Sequence, residues 1–296
     1  MGKCCALFGY SRQSYYKHIE ENDFAEQALN ELIIQSVHAY RQQMPRIGSR
    51  KLYVLIKREF GSQLSFPGRD KFLDLLSEQG LLLRIKRRKR YKNTDSNHPF
   101  KRYPNLIRDK VFSAPNQGWA SDMIYVETTD RVCYLSLITD LYSRKIVGWA
   151  LGTTLQTVYC QRALQMALET LPYPEEAKGL IHHSDRGCQY CSYGYVDCLK
   201  SRGIQISMTE SGDPLENAVA ERVNGIIKSE WLYGAEIKDY EDCYKRVSPI
   251  SAYNNLRPHM SLDYQTPTEV HDFGAVPVRH WKTYSERKQA NQERAL

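Results

Sequence analysis

Three carboxylates in this chain stand where a carboxylate needs a reason. Asp122 lies inside the strand-like run Trp119–Val126 (WASDMIYV), where period-two alternation puts it on the face of Ile124 and Val126. Asp185 ends the run Leu180–Asp185 (LIHHSD), where a short apolar stretch meets Arg186 and Gly187. Functional side chains collect at strand ends in α/β sheets. Glu221 belongs to Ser211–Glu230 (SGDPLENAVAERVNGIIKSE), which reads as a helix with its own start signal. Asp213 suits the N-cap, Pro214 the first helical position, and Glu216 completes a D-x-x-E box. Each acid alone is an ordinary cap, turn former or solvated side chain. Gathered together, three carboxylates make a hard oxygen donor set, which Mg²⁺ prefers and which has no need of His or Cys.

The surroundings of the three acids carry a resemblance. WASDMIYVET, IHHSDRGCQY and ENAVAERVNGIIKSE resemble the three catalytic blocks of the DDE transposases and retroviral-type integrases. They are most similar to the integrase-like downstream-frame (OrfB) subunit of bacterial insertion sequences. That family separates its second Asp from its Glu by 35 residues, and 35 residues separate Asp185 from Glu221 here. It also places a Lys or Arg seven residues after the Glu, the position of Lys228. Many members have Asp-Asn where this chain has Glu216-Asn217, a change that keeps the charge. The resemblance runs from about residue 30 to about residue 270 and extends to a closing YNxxRPHxxL…TP block, matched by Tyr253, Asn254, Arg257, Pro258, His259, Leu262, Thr266 and Pro267.

The resemblance implies a DNA transposase catalytic subunit that cleaves transposon ends and transfers strands by attack of a 3′-hydroxyl on a phosphodiester. Asp122, Asp185 and Glu221 are then the catalytic residues and the ligands of two Mg²⁺ ions (Mn²⁺ being the substitute), with Asp122 bridging both. Two such ions about 3.5–4 Å apart suit in-line phosphodiester chemistry. Lys228 lies two turns beyond Glu221, about 10 Å along a helix axis, a distance suited to a DNA phosphate rather than to the metals. Asn217, one turn before Glu221, is placed to support the carboxylate or touch DNA, and Arg186 and Gln189 flank Asp185. Two other readings stay open: a ribonuclease-H-type nuclease, which needs no separate basic arm, and a non-catalytic DNA-binding regulator, which needs no intact set of acids.

The elements that must position these residues follow from periodicity. On the Glu221 helix, Val219, Val223, Ile226 and Ile227 share a face to be buried, and Asn217, Glu221, Asn224 and Lys228 form a polar stripe opposite. From about Val111, three apolar runs joined by turns at 127–131 and 140–144 predict an antiparallel meander. A helix marked by Cys160, Leu164, Ala167, Leu168 and Leu171, a strand at Leu180–His183, a helix at Tyr195–Arg202 and a strand at Ile204–Met208 predict parallel pairing after it. Tyr240–Leu256 reads as helical with a break at Pro249. The expected fold class is α/β, a ribonuclease-H-like mixed five-stranded sheet with flanking helices, preceded by a small all-α helix-turn-helix-like domain. That domain draws on predicted helices at Phe24–Arg41, Arg50–Phe60 and from Pro67 to Gly80.

Charge divides the chain the same way. Residues 1–95 hold 18 Lys and Arg against 10 Asp and Glu, whereas the rest holds 23 against 24. The basic excess therefore sits in the first third, as in a polyanion-binding arm on a near-neutral body. Arg84, Lys86, Arg87, Arg88, Lys89, Arg90 and Lys92 concentrate it, and such a run gains most by lying on phosphates. The expected domains are a helical DNA-binding region at 1–92, a linker at 93–110, the catalytic core with its C-terminal helices at 111–274 and a polar tail at 275–296. Eight cysteines without an export signal read as free thiols, and Cys188-x-x-Cys191 lacks a second pair at zinc spacing. No apolar run approaches the roughly 18 residues of a membrane span. The expected setting is the bacterial cytoplasm, at the nucleoid when bound. Double-stranded DNA is the expected partner, with a homo-oligomer forming on it and a possible upstream-frame protein.

Overall fold

The structure is a computed structural model that describes residues 11–61, 65–83, 98–108, 110–210, 214–234 and 236–276. Arg84, Lys86, Arg87, Arg88, Lys89, Arg90 and Lys92, the N-cap residue Asp213, and the tail beyond 276 lie outside the described residues. The chain divides into two compact units, with described residues 11–83 in the first and 98–276 in the second.

Among the described residues, the regular elements of the first unit are helices: α1 (Arg12–Gln43), α2 (Ser49–Phe60) and α3 (Arg69–Glu78). Periodicity predicts α1 only from Phe24. It starts at Arg12 because nothing between them is Gly or Pro, so the hydrogen-bond ladder continues through a stretch with no apolar stripe. It stops just before Pro45, which cannot continue the ladder. Ile33, Val37, Ile47, Leu52, Ile56, Phe72 and Leu76 are fully buried and form the core of this unit.

The second unit is built on five strands: β1 (Gly118–Glu127), β2 (Val132–Asp140), β3 (Ile146–Gly152), β4 (Ile181–Ser184) and β5 (Gln205–Met208). Their order is β3-β2-β1-β4-β5. The pairs β1–β2 and β2–β3 are antiparallel, whereas β1–β4 and β4–β5 are parallel. A three-stranded meander extended by two parallel strands is the ribonuclease-H-like arrangement. The helices α4 (Thr157–Glu169) and α5 (Tyr193–Ser201) make the crossovers that parallel pairing requires. α4 buries Cys160, Ala163, Leu164, Ala167 and Leu168, the predicted stripe. It crosses β3 at Gly148, where a Cβ would stand 2.1 Å from the Ala163 carbonyl oxygen, so only glycine permits that approach. After β5 come α6 (Ala218–Ile227), α7 (Tyr240–Val247), α8 (Ile250–Asn255) and α9 (Pro267–His271).

Residues 98–108, read from sequence as linker, lie against the sheet. Met208 N donates to the Pro104 carbonyl at 3.2 Å and Leu106 N donates to Ser207 Oγ at 2.8 Å, so the segment covers the outer edge of β5. Phe100 and Tyr103 pack on the core.

At the centre of the sheet, His182 on β4 is buried between the hydroxyls of Ser121 and Tyr195, 2.6 and 2.9 Å from its Nε2. Burial, reinforced by neighbouring His183, lowers the His182 pKa to about 3. The folded chain thus keeps a neutral ring that the unfolded chain protonates below its ordinary value of 6.5. The stability this ring contributes is complete above pH 6.5 and is lost as the pH falls toward about 3. Melting temperatures recorded between pH 7.5 and 4.5 should fall, and His182→Gln should flatten the decline.

Candidate active site

β1 and β4 bring two of the acids level. Ala120 pairs with His183 in the parallel ladder, and Asp122 and Asp185 each lie two residues further along. Asp185 stands one residue past the end of β4, and so at the level of Asp122 on the neighbouring strand. Asp122 is held at both oxygens: Met123 N donates to Oδ1 at 2.7 Å and Asn224 Nδ2 to Oδ2 at 2.6 Å. Asp185 Oδ1 accepts from Gly187 N at 3.0 Å, which fixes the loop after β4.

The third acid arrives on α6. Pro214–Asn217 forms a 3₁₀ turn and the α-helix proper begins at Ala218, later than the sequence suggests. The Glu216 carboxylate ties this turn elsewhere, accepting from Glu210 N at 2.6 Å and Arg108 Nη2 at 3.2 Å. Val223, Ile226 and Ile227 are buried as predicted, and Val219 partly so. The stripe expected to be polar and open is only half open. Asn217 and Asn224 are buried, Glu221 is exposed and Lys228 is intermediate. Asn217 Nδ2 donates to the Ser121 carbonyl at 3.3 Å and Asn224 to Asp122, so the two amides dock α6 on β1 beside the acid. Asn224 is a site residue missed in the sequence. It was visible there as a polar position one turn past Glu221, but nothing said what it would face.

The electrostatics link the set. Burial and then the charge of Asp185 push the Asp122 pKa up to about 7, with Glu221 adding to the rise and Lys228 opposing it. One carboxyl on β1 thus feels the second Asp, the Glu and the Lys of the predicted motif. Glu221 contributes least, consistent with its exposed position. Among the described residues, no three Asp, Glu, His or Cys side chains are drawn close enough to hold a metal ion as they stand. The Oδ1 atoms of Asn217 and Asn224 are buried with no hydrogen-bond partner.

Other predicted residues take definite places. The Arg186 carbonyl accepts from His98 Nε2 at 2.7 Å, so the covering segment reaches the Asp185 loop. Gln189 is buried and donates from Nε2 to the Leu155 carbonyl at 3.3 Å, a packing role rather than a DNA-facing one. Cys188 and Cys191 share one helical turn and both are free. A fourth acid, Asp140, shows what a structural carboxylate looks like here: fully buried, it accepts from Asn116 N, Tyr142 N, Ser143 N and Ser143 Oγ, which uses both its oxygens.

Comparisons with known proteins place the chain among relatives. Two family models, each described as an integrase core domain, match residues 113–214 and 202–267. The chain is 32% identical over 268 residues to the insertion element IS600 31 kDa protein of Shigella sonnei, covering 89% of this chain and 95% of that protein. It is 33% identical to the transposase of insertion sequence element IS904 from Lactococcus lactis, covering 58% of this chain and 68% of that protein. Among solved structures, the HTLV-2 integrase catalytic core domain in complex with magnesium matches with a TM-score of 0.43 and 19% identity, over 53% of this chain and 97% of that one.

Proposed function

The chain belongs to the insertion-sequence transposases with an integrase core domain, DDE-type polynucleotidyl transferases, and from that premise we propose that Asp122, Asp185 and Glu221 are its catalytic acids. The observation that carries this reading is the placement of Asp122, level with Asp185 across the β1–β4 ladder and bonded by Asn224 of the helix that bears Glu221. Its substrates are the transposon ends and the target, both double-stranded DNA, on which it works as a homo-oligomer, alone or with an upstream-frame partner. The basic run at 84–92 and Lys228, with Arg186 beside the site, are the phosphate contacts.

The donor set fits a hard divalent cation. Asp122 and Asp185 disfavour each other's charge, every donor is oxygen, and two amide oxygens beside them lack partners. Asp122, Asp185 and Glu221 would hold the two Mg²⁺ ions through their carboxylate oxygens. When bound, such ions supply the positive charge that an in-line transfer needs at the attacking and leaving oxygens. The chain's own residues do the rest. Asn224 and Met123 N fix the rotamer of Asp122, Gly187 N fixes Asp185, and Lys228 takes a DNA phosphate about two turns beyond Glu221.

The experiment is a cleavage and joining assay with the full chain, duplexes bearing the element's ends, and Mg²⁺. Nicked ends and a joined product are expected; nicking without joining indicates a nuclease, and neither product a DNA-binding regulator. In the same assay Asn224→Ala should lower the rate about 10- to 100-fold, the usual effect of removing a group that orients a metal ligand.

A further inference from the structure

The segment Tyr253–His259 (YNNLRPH) has no part in the chemistry above, yet nearly every polar group in it is committed. Tyr253 Oη donates to the Arg144 carbonyl at 3.1 Å. The Asn254 amide accepts from Ile146 N and donates to the Ile146 carbonyl, both at 2.9 Å, as a strand partner would at the free edge of β3. Asn255 Oδ1 accepts from Thr268 Oγ1 at 2.6 Å on α9. Arg257 is 1% exposed and holds Glu230 with a two-pronged ion pair, Nε to Oε2 and Nη2 to Oε1, both 2.7 Å. Its Nη1 lies 3.0 Å from His259 Nε2. Arginine can only donate, so His259 accepts there and carries its ring proton on Nδ1. The His259 ring meets the Tyr253 ring edge-on, with centroids 4.8 Å apart.

Glu230 is the informative partner. It lies in the π-turn Lys228–Leu232 that directly continues α6, closed by Tyr233 N on the Lys228 carbonyl at 2.8 Å. Glu230 and Glu221 thus sit on one continuous helical segment, nine residues or about 14 Å apart along the axis. A planar guanidinium fork fixes both the distance and the orientation of the carboxylate it grips, and a lysine cannot replace it.

We propose that Tyr253–His259 is a clasp that sets the axial position and rotation of α6 relative to β3 and the sheet, and that Glu230 and Arg257 are positioning residues for Glu221, Asn224 and Lys228. The catalytic half of this inference rests on the function proposed above; the half concerning α6 does not.

The test uses the full chain with Arg257→Lys, which keeps the charge but loses the fork, and with the pair Glu230→Met/Arg257→Met, which fills the site with apolar volume. Amide hydrogen exchange is read at α6 and at β1–β2 under native conditions. Exchange across Ala218–Ile227 should quicken at least about tenfold while β1–β2 amides keep their protection, a pattern of local rather than global opening. A uniform rise across helix and sheet, or no change at α6, overturns the clasp. In the cleavage assay, kcat should fall about tenfold with KM and DNA affinity within about twofold, the signature of a lost transition-state arrangement. Unchanged kcat, or a rise in KM alone, overturns the positioning role. Should the paired variant not fold, Arg257→Lys decides both readouts. An inactive wild-type chain counts against the proposed function, while exchange at α6 still decides the clasp.

Discussion

Glu221→Gln should lower Mg²⁺-dependent end cleavage by about three orders of magnitude while DNA affinity stays within about twofold. The substitution is isosteric and removes only the charge. Glu221 is exposed on the first turn of α6, so the fold loses little, within about 0.5 kcal/mol. In the function proposed above, DNA binding draws on the basic arm and Lys228, which the substitution leaves alone. Loss of an interaction worth about 4 kcal/mol at the reacting phosphate accounts for the expected factor. A variant that cleaves at the wild-type rate removes Glu221 from the chemistry.

Arg257→Ala is expected to have the largest effect on stability. The pair with Glu230 is buried on both sides, with side-chain exposures of 2% and 9%. Removing one partner of such a pair strands a charge and costs about 3–5 kcal/mol, on the order of 10 °C in melting temperature for a unit of this size. The loss exceeds what an apolar replacement of both partners brings, because the stranded Glu230 is the source of the penalty. A useful contrast is Arg246, whose pair with Asp242 is four residues apart on α7 and more open to solvent. Arg246→Ala should cost no more than about 1 kcal/mol. Equal melting shifts for the two variants would contradict the assigned roles.

Most of the fold was legible because burial enforces period. The meander, α4, β4, α5 and β5 came from alternation and helical spacing, and each appears within a few residues of its expected limits. Apart from the early start of α1, which is local, the departures depend on partners distant in sequence. α1 begins early on a stretch with no apolar stripe, since helix continuation needs only the absence of a breaker. The 3₁₀ turn before α6 reflects Glu216 being drawn to Arg108 and Glu210 N, one of them 108 residues away. The segment 98–108 looked like linker because its polar and Pro-containing sequence has no period, yet Leu106 N reaches Ser207, 101 residues on. Within the proposed site, the three acids and Lys228 are read from motif and spacing. Asn224 is not, because an amide on a polar stripe gives no sign of facing Asp122 until α6 docks on β1. Arg257 and Glu230 were both visible as residues, but their pairing is a property of the folded helix end.

The central claim is that Asp122, Asp185 and Glu221 form one cation pocket. Anomalous diffraction from crystals of the full chain soaked in Mn²⁺ tests it most directly. The account predicts manganese between Asp122 and Asp185, with oxygens of all three carboxylates about 2.1–2.2 Å from the ions and Glu221 turned toward β1. Manganese elsewhere, or bound at the two aspartates while Glu221 stays on the outer face of α6 with DNA ends in place, would contradict it.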